Sequence, residues 1–246
     1  MIENTFIHLQ GVGPKTERNI WQKGITDWNG FLCHGGIVIS PAKDKLIRMQ
    51  LEDSLAHYGD VEYFEDRLPA SDKWRMYGNF KERAVFLDIE TSGDYSGGDL
   101  ITVIGLYDGR DSHTFVNGQN LQEFEIAVSS YELVITFNGS SFDLPVIKKF
   151  FPNISLPPGH IDLKFLLNRL GYRGGLKRIE KEMGICRDAD IDGMNGLDAV
   201  NLWKAYTWGD HDALDLLIKY NAADIVNLKP LMEDGYRRMK ESLMTF

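Results

Sequence analysis

The chain has 246 residues, 43% of them hydrophobic, enough for one large domain, or one domain with a small appendage, around a real core. No run approaches the ~18 apolar residues of a membrane span, and Met1-Ile2-Glu3-Asn4 does not open a secretory signal, so no membrane association and a cytoplasmic location are expected. The formal net charge of -9 argues against tight non-specific nucleic-acid binding on bulk charge, though not against local basic patches.

Residues 1–34 read as a small helical unit. Phe6-Ile7-His8-Leu9 precedes the turn Gly11-Val12-Gly13, Lys15 to Gln22 carry a helical pattern, and Gly24-Ile25 closes it. The turn between two short helices resembles a helix-hairpin-helix motif. That resemblance implies backbone N–H groups at Gly11 and Gly13 offered to a phosphate, with Lys15 adding charge. A helical pair that only packs on the main domain is the alternative. Cys33 and Cys186 have no Cys-x-x-Cys partner, so neither a disulfide scaffold nor a zinc site is expected.

Residues 35–82 read as a connecting segment packed on the main domain. After a break at Gly35-Gly36, Pro41 starts a helix with Ile47, Leu51, Leu55 and Tyr58 at helical spacing. Trp74 and Tyr77 are the expected anchors into the core.

From residue 83 to 246 the pattern is α/β. Strands are predicted at Ala84–Asp88, Leu100–Tyr107 and His113–Val116, joined by short turns that favour an antiparallel meander. A helix over Leu121–Ser130, a strand over Leu133–Phe137 and a helix from Leu144 to Phe150 follow. His160-Ile161-Asp162-Leu163 begins a segment at the sheet edge, and the chain is mostly helical from Lys164. A mixed sheet of five or six strands flanked by helices, in this order, resembles the ribonuclease-H-like fold.

The run Ala84-Val85-Phe86-Leu87 ends in Asp88-Ile89-Glu90. Strand residues at i and i+2 share a face, so both carboxylates aim at one point. Side by side they repel and raise each other's pKa unless a cation lies between them. Asp143 opens a helix after a strand and a turn, where the helix dipole favours an acid. Tyr220 and Asp224, four residues apart in a helical stretch from Leu214 to Met232, share a helical face.

Asp88-x-Glu90, Asn138-x-x-x-Phe142-Asp143 and Tyr220-x-x-x-Asp224 together resemble the three motifs of the DEDD exonuclease superfamily. The Tyr four residues before the last Asp resembles its tyrosine branch; Lys219 stands where the histidine branch would carry His. Closer likeness lies in Trp74-Arg75-Met76-Tyr77, His160-Ile161-Asp162-Leu163, Gly174-Gly175-Leu176-Lys177-Arg178-Ile179-Glu180 and Tyr220-Asn221-Ala222-Ala223-Asp224. These look like the YprB-like family of predicted ribonuclease-H-like exonucleases. Ser92 follows Thr91 where superfamily members often have a second Thr.

The resemblance implies a 3′–5′ exonuclease in which Asp88, Glu90, Asp143 and Asp224 hold two Mg²⁺ or Mn²⁺ ions, hard cations suited to oxygen ligands. Tyr220 would orient the attacking water. Asn138 would touch the terminal nucleotide or brace the turn, and Asp162 reads as a helix cap or as an acid behind the metal ligands. Arg173, Lys177 and Arg178 belong to a basic stretch from Lys164 to Lys181, broken by Glu180, that reads as an arm for a nucleic-acid backbone or as a solvated helix face. The expected partner is DNA or RNA, and the expected state a monomer. A binding module without turnover, a partner-docking scaffold and an endonuclease stay open.

Overall fold

A computed structural model of the chain describes residues 1–93 and 100–245. The first 83 residues are helical. A 3-10 turn at Ile2–Asn4 leads through further turns into α1 (Pro14–Gln22), then α2 (Trp28–Cys33), α3 (Pro41–Ala56), α4 (Val61–Arg67), a 3-10 turn at Ala70–Met76 and α5 (Tyr77–Phe80). Gly11 has φ +82°, which lets the chain reverse before Gly13 and Pro14 start α1. The sheet strands are β1 (Ala84–Thr91), β2 (Ile101–Tyr107), β3 (Ser112–Val116), β4 (Leu133–Thr136) and β5 (Gly159–Asp162). Between and after them lie α6 (Phe124–Val128), α7 (Asp143–Phe150), α8 (Leu163–Arg169), α9 (Leu176–Glu182), α10 (Gly196–Thr207) and α11 (His211–Met244).

Among the described residues the sheet has five strands in the order β3-β2-β1-β4-β5. β1, β2 and β3 form an antiparallel meander, while β4 runs parallel to β1 and β5 parallel to β4. The chain therefore reverses its direction of travel across the sheet between β1 and β4. In open α/β sheets that switch point, at the carboxyl ends of the strands, is where ligands are bound.

Some boundaries differ from the sequence reading for local reasons. The helix expected over Leu121–Ser130 is a 3-10 turn at Leu121–Glu123 followed by α6, which ends at Val128. The C-terminal helix is longer than its expected span. Asp210 caps its start by accepting from the Ala213 amide, and buried Gly235 and Met239 carry it past Met232.

Alternation along β1 builds two layers. Ala84 and Phe86 join an apolar cluster with Leu228 and Leu231 of α11 and with Phe6, Trp21, Trp28 and Phe64 of the N-terminal helices. Val85, Leu87 and Ile89 face the opposite cluster, with Phe124 and Ile147. Trp74 and Tyr77 are buried, and each ring meets Tyr236 of α11, at centroid separations of 5.8 and 5.7 Å. Cys33 and Cys186 are free and exposed. Among the described residues no helix is long and apolar enough to cross a membrane.

A buried ion cluster ties α1 to the 3-10 turn at Ala70–Met76, and its Asp72 reaches on to Arg169 of α8 at 2.9 Å. Arg75 donates to both oxygens of Glu17, at 2.8 and 3.0 Å, and to Asp72 at 3.1 Å. Glu17 also accepts from the Phe6 and Ile7 amides, which holds the Phe6–Leu9 segment as a buried turn. Removing one member of a buried pair strands the other charge and costs about 3–5 kcal/mol. Glu17→Ala is therefore expected to lower the free energy of unfolding by about that amount in a denaturant titration; a loss below about 1 kcal/mol would show that the cluster does not pin the segment.

Candidate metal centre

Strand alternation puts Asp88 and Glu90 on the Ala84–Phe86 face of the sheet, under α11. Asp88 lies opposite Gly105 of β2. A Cβ at Gly105 would stand 2.3 Å from Asn221 Oδ1 and 3.0 Å from Ile225. Glycine there lets α11 lie directly on the strand, so that Asn221 Nδ2 reaches Asp88 Oδ2 at 3.0 Å. One helical turn along, Asp224 reaches the same place. Carboxylate oxygens of Asp88, Glu90 and Asp224 all lie within 4.8 Å of one another, with Glu90 and Asp224 buried.

Asp143 stands beside this trio rather than within it. It is the first residue of α7, not its cap, because Phe142 holds the cap position. Its Oδ1 accepts from the Ile89 amide at 3.2 Å, in the middle of Asp88-Ile89-Glu90. The parallel pairing of β1 and β4 brings the two segments to the same end of the sheet.

The charges are expensive in place. Burial, then the carboxylate of Asp224, pushes Glu90 up to about 8. Burial pushes Asp143 up to about 7, against hydrogen bonds that favour its ionised form. Asp88 is raised well above the usual carboxylate range by burial and then by Asp224, Asp143 and Glu90. Asp224 is raised by burial, which Lys177 and Arg187 oppose. Acids held this way could serve as oxygen ligands, and an all-carboxylate donor set fits Mg²⁺ or Mn²⁺ better than Zn²⁺.

Tyr220 is buried on α11, one turn before Asp224. Burial and then the Asp224 charge hold its hydroxyl above the usual range, so it keeps its proton. Lys177 Nζ donates to the Tyr220 hydroxyl and lies 3.8 Å from Asp224 Oδ1. An ammonium has no acceptor, so the Tyr220 oxygen receives from Lys177 and its own proton is free to be given elsewhere.

The other residues singled out in the sequence lie around the trio with differing partners. Asn138 has φ +67°; its amide donates to Asp162 at 2.8 Å and its Oδ1 accepts from Lys164 at 2.8 Å, so it braces the turn. Asp162 caps α8 and also accepts from the Ser140 amide and hydroxyl. The basic stretch is largely spent on protein partners. Arg178 pairs with Glu182, Arg169 with Asp72, Lys181 with Asp192, and Arg173 folds back on Asn168 and Tyr172. Gly11, Gly13 and Lys15 are exposed at the start of α1. A hollow of about 950 Å³ is lined by residues from Gly35 to Glu52 and includes none of the four site acids. A smaller one of about 560 Å³ is lined by Lys177, Glu180, Arg187 and Met194, beside Asp224.

Three residues that sequence reasoning passed over complete the site. Asn221 holds Asp88, Arg187 donates to Asp224, and Glu180 grips Arg187. Asn221 was within reach of a helical-spacing argument, since it lies three residues before Asp224. Arg187 sits in an irregular stretch after α9 and carries no periodic signal.

A family model described as the RNase_H superfamily matches residues 85–236. Among solved structures, the chain is similar to the family B DNA polymerase from the hyperthermophilic archaeon Pyrobaculum calidifontis, with 14% identity, 61% of this chain and 24% of that chain covered, and a TM-score of 0.51. It thus spans about a quarter of that polymerase. It is also similar to Escherichia coli RNase D, an exoribonuclease involved in structured RNA processing (18% identity, 71% and 45% covered, TM-score 0.47), and to Brucella melitensis NrnC (21% identity, 69% and 79% covered, TM-score 0.46). No curated protein matches the chain.

The raised acids make a stability prediction. With folded-state values of about 8 for Glu90 and about 7 for Asp143, above their ordinary values of 4.5 and 3.8, the folded state binds more protons than the unfolded one across that interval. Their contribution is full below the ordinary values and is lost as pH rises through about 7 to 8. The EDTA-treated protein is expected to melt lower at about pH 8.5 than at about pH 5.5. Glu90→Gln should flatten that slope, and Mn²⁺ should raise the melting temperature more at the higher pH. Burial lowers His8 to about 3 and His160 to about 4, which works in the opposite direction, so the variant decides: a Glu90→Gln slope equal to that of wild type would contradict the assignment.

Proposed function

Because the chain belongs to the RNase_H superfamily, we propose that it is a metal-dependent 3′–5′ exonuclease of the tyrosine-bearing DEDD type, hydrolysing phosphodiester bonds of a nucleic acid. The observation that carries this reading is the meeting of Asp88, Glu90 and Asp224 within 4.8 Å, with Tyr220 buried one helical turn before Asp224. Asp143, whose carboxylate is bound to the amide between Asp88 and Glu90, is the fourth proposed ligand.

Two Mg²⁺ or Mn²⁺ ions held by these acids would supply Lewis-acid stabilisation of the reacting phosphate and a water of lowered pKa. The protein's own groups do the rest. The four acids bring the negative charge that selects hard cations. Tyr220, unable to act as a base at neutral pH, donates its free proton to orient the attacking water. Lys177 holds the Tyr220 oxygen in place and brings a positive charge to where a phosphate would sit.

Asn138 and Asp162 shape the turn before Asp143 and so help to set its position. Arg173, Arg178, Gly11, Gly13 and Lys15 are the proposed backbone contacts; the last three are supported by exposure and by the open glycine backbone at the start of α1. A cytoplasmic setting suits two exposed free thiols.

The test is a matched panel of DNA and RNA strands, labelled at the 5′ end, with Mg²⁺ or Mn²⁺ added. The expected products are ladders shortened from the 3′ end, with circular strands left intact. Asp88→Asn should reduce the rate by on the order of a hundredfold or more, since even the outer partners of metal ligands are worth about 10–100-fold. Cleavage of the circles would make the enzyme an endonuclease. Wild type and Asp88→Asn equally inert across the panel would overturn the nuclease reading.

A further inference from the structure

Glu180 is the one acid that interrupts the basic stretch, and it is buried, at 1% exposure. It lies on α9 and turns inward, against Arg187, whose side chain is 3% exposed. Arg187 Nε donates to Glu180 Oε2 at 2.7 Å and Nη2 to Oε1 at 2.6 Å, a two-pronged grip that fixes the plane of the guanidinium. The same Nη2 donates to Asp224 Oδ1. Asn227, one turn beyond Asp224 on α11, donates to Glu180 Oε1 at 3.1 Å and closes the circuit.

We propose that Arg187, oriented by Glu180, is a positioning residue for Asp224: it takes Oδ1, sets the rotation of the carboxylate, and leaves Oδ2 to face Asp88 and Glu90. The inference rests on the metal-site reading above. Both nearby cations, Arg187 and Lys177, lie on Oδ1, and Oδ2 has no protein hydrogen bond among the described residues. Charge balance fits the role. Arg187 and Glu180 cancel, so the pair orients Asp224 without discharging the acid cluster.

Stability alone does not account for the arrangement. A buried ion pair is commonly matched or bettered by apolar residues of similar volume. Arg187 Nη1 is buried with no partner among the described residues, so the guanidinium is held through Nε and Nη2 alone. The guanidinium is placed by what Nε and Nη2 must hold, at the expense of Nη1.

The experiment compares wild type, Arg187→Lys and the double variant Glu180→Gln/Arg187→Met, the last removing the pair without stranding a charge. Mn²⁺ binding is titrated on the substrate-free protein by electron paramagnetic resonance, and kcat and KM are measured on the best strand of the panel. The double variant is expected to bind Mn²⁺ about 10–100-fold more weakly, the usual cost of losing an outer partner of a metal ligand. Its kcat should fall by a similar factor with KM within about threefold. Arg187→Lys keeps the charge but not the fork and should lie between. A folded double variant with unchanged Mn²⁺ affinity and kcat would reduce the pair to a structural pin. Tighter Mn²⁺ binding would instead make Arg187 a competitor for Asp224. Either result overturns the inference while wild-type Mn²⁺ binding leaves the metal-site reading intact. A wild type that binds no Mn²⁺ would take down both. Should the double variant fail to fold, Arg187→Lys decides, and wild-type behaviour from it counts against the role.

Discussion

Three carboxylates within 4.8 Å of one another, two of them buried, are the constraint around which the chain is arranged. Ionised together in a low-dielectric pocket, such groups repel, and folding must bear that cost or neutralise it. The upward displacement of all four acids is the signature of that strain. Natural folds keep such groupings where charge is to be supplied from outside, and the surrounding residues here hold the acids in place more than they discharge them.

The holding is spread over both layers. β1 is a rigid base, buried on both faces, whose alternation aims Asp88 and Glu90. Gly105 lets α11 lie close enough for Asn221 to grip Asp88 and for Asp224 and Tyr220 to arrive one turn apart. From the other side, the α9 region contributes Lys177 to Tyr220 and Arg187 to Asp224. The N-terminal helices cover the same sheet face and share its apolar core. Arg75 and Glu17 hold that cover together, and Asp72 fastens it to Arg169 of α8.

Much of this was legible because it is local. The strand alternation of Asp88 and Glu90 and the one-turn spacing of Tyr220 and Asp224 depend only on backbone periods. The meander also follows from short connections between β-rich runs. What resisted reading is set by distant pairing. The basic stretch was open to two readings, an arm or a solvated helix face, because a sequence shows charge without partners. In the fold, Arg169, Arg178 and Lys181 meet Asp72, Glu182 and Asp192. Glu180 looked like a flaw in that stretch, and only the return of Arg187 and α11 against it gives it a purpose. Asn138 was open to two readings, and its αL backbone with Asp162 and Lys164 as partners favours the brace.

The most direct test of the account is anomalous scattering from a crystal of the wild-type protein soaked in Mn²⁺. Two peaks about 3.5–4 Å apart, in contact with Asp88, Glu90, Asp143 and Asp224, are predicted. No Mn²⁺ among these acids at saturating concentration, with the side chains ordered, would contradict it.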